Sequence, residues 1–179
     1  MKQLNFAGIG SRETPEDILN LMFHMGQDLG AHGWNLRSGY AGGADMAFFN
    51  GAVSVDGKME MFLPWAGFNQ APNDSRFISD EASETHMELA EQFHPNWNAC
   101  KPGAKKLHAR NGSQVLGRNL DNPSDLVICW TVGGKGGGGT GQAIRLANHF
   151  GVPVFDLAIP SRFEELVAYV ETLEKRNDD

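Results

Sequence analysis

Three glycine-rich segments and one polar helix face are the parts of this sequence whose residue types could do chemistry. The first segment is Gly8-Ile9-Gly10-Ser11-Arg12 and the second Ser38-Gly39-Tyr40-Ala41-Gly42-Gly43. The third runs from Gly133 to Gly141 and contains Lys135, Gly138, Gly139 and Thr140. Glycine lets the backbone approach a ligand closely, and a helix that starts just after such a turn aims unpaired N–H groups and a positive dipole end at an anion. Phosphate is the expected guest, with Ser11 and Ser38 as hydroxyl donors. The third segment does not match GxxxxGK[ST], because Lys135 precedes the glycines and is not followed by Ser or Thr in the required place. A P-loop with magnesium is therefore not expected.

Arg110, Asn111, Gln114 and Arg118 fall within about 100° of one another on an ideal helix. They would form a polar, positive face, either a clamp for phosphate or ribose or a solvated helix surface. A buried strand follows directly, so this face could be carried close to the third glycine segment. Asp45 stands just past Gly42-Gly43-Ala44 at a helix start, where it caps the helix or binds a sugar hydroxyl. Tyr40, Trp65 and Trp130 are stacking surfaces or core aromatics, and Thr131 and Gln142 complete the candidate ligand-binding set. Neither Ser11 nor Ser38 sits in the GxSxG context of a hydrolase nucleophile. The histidines at 24, 32, 86, 94, 108 and 149 have no HExxH spacing, and Cys100 and Cys129 form no CxxC, so neither metal nor cofactor is expected. Cys129, inside the apolar run 126–130, reads as a buried thiol.

The elements that must carry these residues alternate between strand and helix. Residues 3–9 read as a strand, and Thr14 as the cap of a helix with Pro15 in its first turn. Ile18, Leu21, Met22, Met25 and Leu29 give that helix one apolar face. Strands at 34–37 and 59–63 flank a helix at 44–51, and a β-α-β-α-β order implies a parallel sheet with right-handed crossovers. Helices over 104–120 and 139–150 bracket a strand at 126–130, and a last strand spans 152–155. A final helix starts at Ser161, where Ser161 and Glu164 have capping-box spacing. Residues 66–103, with Pro72, Pro95, Pro102 and a helix near 80–93, find no place in the sheet. Such an excursion is a lid over the pocket or a subunit contact. The expected fold is a single α/β domain over 1–179, Rossmann-like, in three layers with a mainly parallel sheet.

Composition bounds the partners. The chain has 179 residues, a formal net charge of −7, and 22 glycines, well above the usual glycine share of about 7%. An acidic molecule repels polyphosphates as a whole, so DNA binding is not expected, while a local arginine cluster still holds one small anion. No stretch approaches the ~18 apolar residues of a membrane span, and no secretory signal is visible; a cytoplasmic location is expected.

The four segments at 8–15, 37–45, 110–119 and 138–143, in this order, resemble the SLOG superfamily. That group includes Smf/DprA DNA-processing proteins, LOG phosphoribohydrolases and nucleotide-sensing domains of bacterial defence systems. The resemblance covers residues 5–157 and is strongest to DprA-like proteins of tailed phages, which would put the chain in the bacterial host cytoplasm. It implies a modified Rossmann fold, a homodimer or higher homo-oligomer, and ligand phosphates held by the first and last glycine turns. The function so implied is binding of a nucleotide or a nucleotide-derived signal, such as an ADP-ribose or cyclic-nucleotide messenger, to sequester or sense it. LOG enzymes cleave the N-glycosidic bond of nucleoside monophosphates with a GGxGTxxE motif, and here Ala143 stands where the glutamate belongs. Only Asp45 or Glu13 could replace it as catalytic carboxylate. DprA proteins bind single-stranded DNA through a basic groove, which an acidic chain fits poorly.

Overall fold

The structure is a computed structural model that describes residues 1–80 and 83–179. Six parallel strands form one sheet in the order β4-β3-β2-β1-β5-β6. They are β1 (Asn5–Gly8), β2 (Asn35–Ser38), β3 (Lys58–Phe62), β4 (Phe77–Ile78), β5 (Leu126–Cys129) and β6 (Val154–Asp156). Helices α1 (Glu16–Ala31), α2 (Ala44–Ser54), α3 (Glu84–Gln92), α4 (Pro102–Leu116), α5 (Gly138–His149) and α6 (Arg162–Asp178) lie between and after them. The fold is α/β, Rossmann-like and three-layered.

Alternating side chains build the two faces, as the two-residue period of a strand requires. On β1 and β5, Phe6, Leu126 and Ile128 join one core with Met22 of α1, Phe48 of α2 and Leu166 of α6. Their neighbours Ala7, Val127 and Cys129 join the other, with Val115 of α4 and Leu146 of α5. The Cys129 thiol is fully buried, and burial raises its pKa well above the usual thiol range. Helices α1 and α2 touch backbone to backbone: a Cβ on Gly51 would lie 2.0 Å from the Phe23 carbonyl oxygen.

Several local expectations need correction. The Thr14 hydroxyl does not cap α1; it donates to the Ser11 carbonyl at 2.5 Å, tightening the turn after β1. Ser161 is itself in helical conformation and its side chain makes no cap bond, so the capping box does not form. Segment 66–103 does enter the sheet, because Phe77–Ile78 adds β4 beside β3 at one edge. The same segment supplies α3, capped by Ser83, whose oxygen accepts the His86 N–H.

Candidate functional site

Strand order reverses at β1, whose neighbours β2 and β5 leave in opposite directions. The crevice beyond the carboxyl ends of the strands at such a point is the common ligand position in open parallel sheets. Here the two loops that leave the switch point are tied together. The Ile9 N–H donates to the Ile128 carbonyl at 3.0 Å and the Ser11 N–H to the Trp130 carbonyl at 3.3 Å.

Above this crevice is a cavity of about 630 Å³, within the usual range for small-molecule sites. Three elements wall it. The turn after β1 gives Gly10, Ser11, Arg12 and Glu13; α4 gives Ala104, Leu107, His108, Arg110, Asn111 and Gln114; the entry to α5 gives Lys135, Gly137, Gly138, Gly139, Thr140 and Ala143. Ala41 and Asp45 close the floor from the second glycine segment.

The α5 entry has a built geometry. Gly138 has φ of +69°, a conformation side chains disfavour, and a Cβ on Gly137, Gly138 or Gly139 would meet open space. Gly141 has no such room, since its Cβ would lie 2.3 Å from the Gly136 carbonyl oxygen. Thr131 fixes the loop from behind: it is fully buried, its hydroxyl bonds Asp156 and its oxygen accepts the Gly136 N–H at 3.0 Å. The N–H groups at the start of α5 are the donors a helix leaves unpaired, and they sit at the cavity wall.

Three cations, Arg12, Arg110 and Lys135, face two carboxyl groups, Glu13 and Asp45. Arg110 is anchored by the carbonyls of Gly39 and Phe62, and its buried Nε has no partner among the described residues. Burial lowers its pKa, against the attraction of Asp45. Asp45 accepts the Ala41 N–H at 3.1 Å. Burial raises its carboxyl pKa to about 6, while Arg110, the Ala41 N–H and the neighbouring Ser38 and Gly39 pull the other way. Asp45 thus braces the second glycine turn instead of capping α2, and changes charge near neutrality. His108 is pushed down to about 4 by burial first, then by His94, Arg145 and Arg110, so it is neutral at pH 7.

Other candidates from the sequence lie off the cavity wall. Arg118 is not on the face of α4, because Gly117 leaves the helix with φ of +82°; its guanidinium pairs with Asp80 at 2.6 Å, half-exposed. Ser38 is buried and donates to the Gly8 carbonyl. Gly39 and Gly43 pack against Arg110 and Arg12, and Gly42 borders the same turn. Tyr40 stacks edge-on with Phe49 and Phe77 at 5.0 Å each, Trp65 packs on Phe68, and Trp130 packs against the core. Gln142 is buried and acts one step back, accepting from the Asn111 amide at 3.0 Å. Thr131 is likewise a support. Among the described residues, none of 66–103 lines the cavity. Ala104, Leu107 and His108 also line the cavity; Leu107 and His108 stand one helical turn before Asn111 and Ala104 two turns before it, a spacing that puts all of them on its face.

No family model matches the chain, and no curated protein matches it either. Solved structures do. The Chlamydomonas reinhardtii Moco carrier protein superposes with a TM-score of 0.57 at 16% identity, covering 96% of this chain and 86% of that one. DNA processing protein A from Helicobacter pylori, described with single-stranded DNA, superposes at 0.52 and 21% identity, covering 86% of this chain and 64% of that one. The chain shares their fold. No helix among the described residues is long and apolar enough to cross a membrane.

Proposed function

We propose that this chain binds a nucleotide or nucleotide-derived phosphate ligand, ADP-ribose-like or a cyclic nucleotide, in the switch-point cavity, and so sequesters or senses it. The observation that carries this is the convergence of Ser11, the α5 glycines and the guanidiniums of Arg12 and Arg110 on one cavity. In this reading phosphate lies against Gly138, Gly139 and Thr140, where amide donors and the helix dipole favour an anion. Arg12, Lys135 and Arg110 balance its charge, and Asn111 and Gln114 meet ribose or base. The SLOG-like order of motifs supports the reading, as does fold likeness to a cofactor carrier and a DNA-binding protein.

A second reading, cleavage of the N-glycosidic bond of a nucleoside monophosphate, draws support from the raised Asp45 carboxyl at the cavity floor. Against it, Ala143 brings a methyl group, not a carboxylate, to the wall of that cavity. Mass spectrometry of small molecules released from the purified, heat-denatured protein tests the main reading. A phosphate-bearing nucleotide recovered intact supports binding. Free base formed from a nucleotide panel, and abolished in Asp45→Asn, would support hydrolysis instead. Preference for a single-stranded oligonucleotide, with steep salt dependence, would overturn both.

A further inference from the structure

His94, Cys100 and His108 meet on the flank of α4, where spacing along the chain gave no sign of a metal site. His94 follows the end of α3, Cys100 follows the short turn Trp97–Ala99, and His108 is in the second turn of α4. Each offers one donor atom, and the three atoms lie within 4.8 Å of one another. Cys100 Sγ is 3.5 Å from His94 Nε2, and the two imidazole rings are centred 4.5 Å apart. Bonds of about 2.0–2.1 Å to nitrogen and about 2.3 Å to sulfur put the donors around a tetrahedral zinc roughly 3.3–3.6 Å apart. The Cys100–His94 separation already has this value, and the widest gap must close by roughly an ångström.

Hydrogen bonding within the protein leaves this cluster incomplete. His108 Nδ1 is buried without a partner among the described residues. The Cys100 sulfur makes only long contacts among the described residues, at 3.5 Å to His94 Nε2 and 3.6 Å to the Asn96 carbonyl. One sulfur and two imidazoles suit zinc rather than magnesium or calcium, which require oxygen ligands.

We propose that His94, Cys100 and His108 bind a zinc ion, leaving a fourth position for water. On binding, the Cys100 thiol gives its proton to solvent as the Zn–S bond forms, so one proton leaves per zinc. His94 Nδ1 now accepts the Asn96 N–H at 3.0 Å, which puts the ring proton on Nε2. Ligation through Nδ1 replaces that hydrogen bond; ligation through Nε2 moves the ring proton to Nδ1 and breaks it. In both cases the ring remains neutral and the Asn96 contact is exchanged for the metal. The site shares His108 with the cavity wall, but it does not rest on the anion reading, and its test reads no nucleotide.

The experiment uses the full chain, stripped by chelator and titrated with Co²⁺, followed by Zn²⁺ competition. One equivalent of cobalt should bind with a near-ultraviolet thiolate-to-cobalt charge-transfer band, and zinc should displace it. Cys100→Ser should lose the band and weaken zinc binding roughly 100-fold or more, since loss of a ligand exceeds the effect of losing its support. His108→Gln should weaken it similarly while melting as a folded protein. Absence of the band in the wild-type chain, or unchanged zinc affinity in Cys100→Ser, overturns the site. Should Cys100→Ser fail to fold, the wild-type cobalt spectrum alone decides.

Discussion

Asp45→Asn removes a charge that the fold keeps buried, and the pH dependence of its effect can be worked out in advance. In the folded chain the Asp45 carboxyl titrates at about 6, against 3.8 for a free aspartate. The folded state therefore holds its proton to higher pH than the unfolded state does. Wild-type stability from this group is fully present below about pH 4 and falls as pH rises through about 6, because deprotonation then favours unfolding. At about 1.4 kcal/mol per unit, the loss approaches 3 kcal/mol. Asparagine has nearly the same shape and cannot ionise. The stability difference between Asp45→Asn and wild type should climb by about 3 kcal/mol from pH 4 to pH 8, other titrating groups cancelling in the comparison. Urea unfolding at a series of pH values measures it, and with a slope of about 1–3 kcal/mol/M the midpoint gap should widen by at least about 1 M. A flat difference, or one that shrinks as pH rises, would mean that Arg110 stabilises the carboxylate at least as much as burial penalises it, and the electrostatic account of the cavity floor would fail.

The same titration should reach ligand binding: ADP-ribose, whose pyrophosphate keeps its charge in this range, should bind severalfold tighter at pH 5.5 than at pH 8 by calorimetry, and this dependence should vanish in Asp45→Asn. Arg110→Met should destabilise the fold by about 2–4 kcal/mol in denaturant melts, since the Gly39 and Phe62 carbonyls lose their donor and Asp45 its counter-charge. Gly141→Ala should cost about 1–3 kcal/mol and weaken nucleotide binding, because its new methyl would push on the Gly136 carbonyl. Arg118→Ala, which breaks only an exposed pair with Asp80, should leave stability within about 1 kcal/mol and nucleotide affinity unchanged.

The parallel sheet could be seen in the sequence because its central strands are short apolar runs that end at glycine turns. Phe6-Ala7-Gly8 and Leu126-Val127-Ile128-Cys129 pair in the register that brings the first and third turns together. Strand β4 escaped because two residues carry no periodicity; backbone bonds from Met61 N–H to Arg76 and from Leu63 N–H to Ile78 fix it instead. Arg110 and Asn111 were legible as one helix face, but extending that face to Arg118 assumed a helix that Gly117 ends. Thr131 and Gln142 read in the sequence as ligand-binding residues, and only tertiary packing reveals that they support the loop and Asn111 from behind. The meeting of His94, Cys100 and His108 depends on how α3 folds back on α4, which spacing along the chain does not encode.

Amide chemical shifts test the central claim most directly. Titration of the labelled protein with ADP-ribose and with a cyclic nucleotide should move the N–H signals of Gly138, Gly139, Thr140 and Ser11 more than any others, with Arg118 and its surroundings unmoved. Shifts confined to another surface, or none from any phosphate-bearing nucleotide at millimolar concentration, would contradict the account.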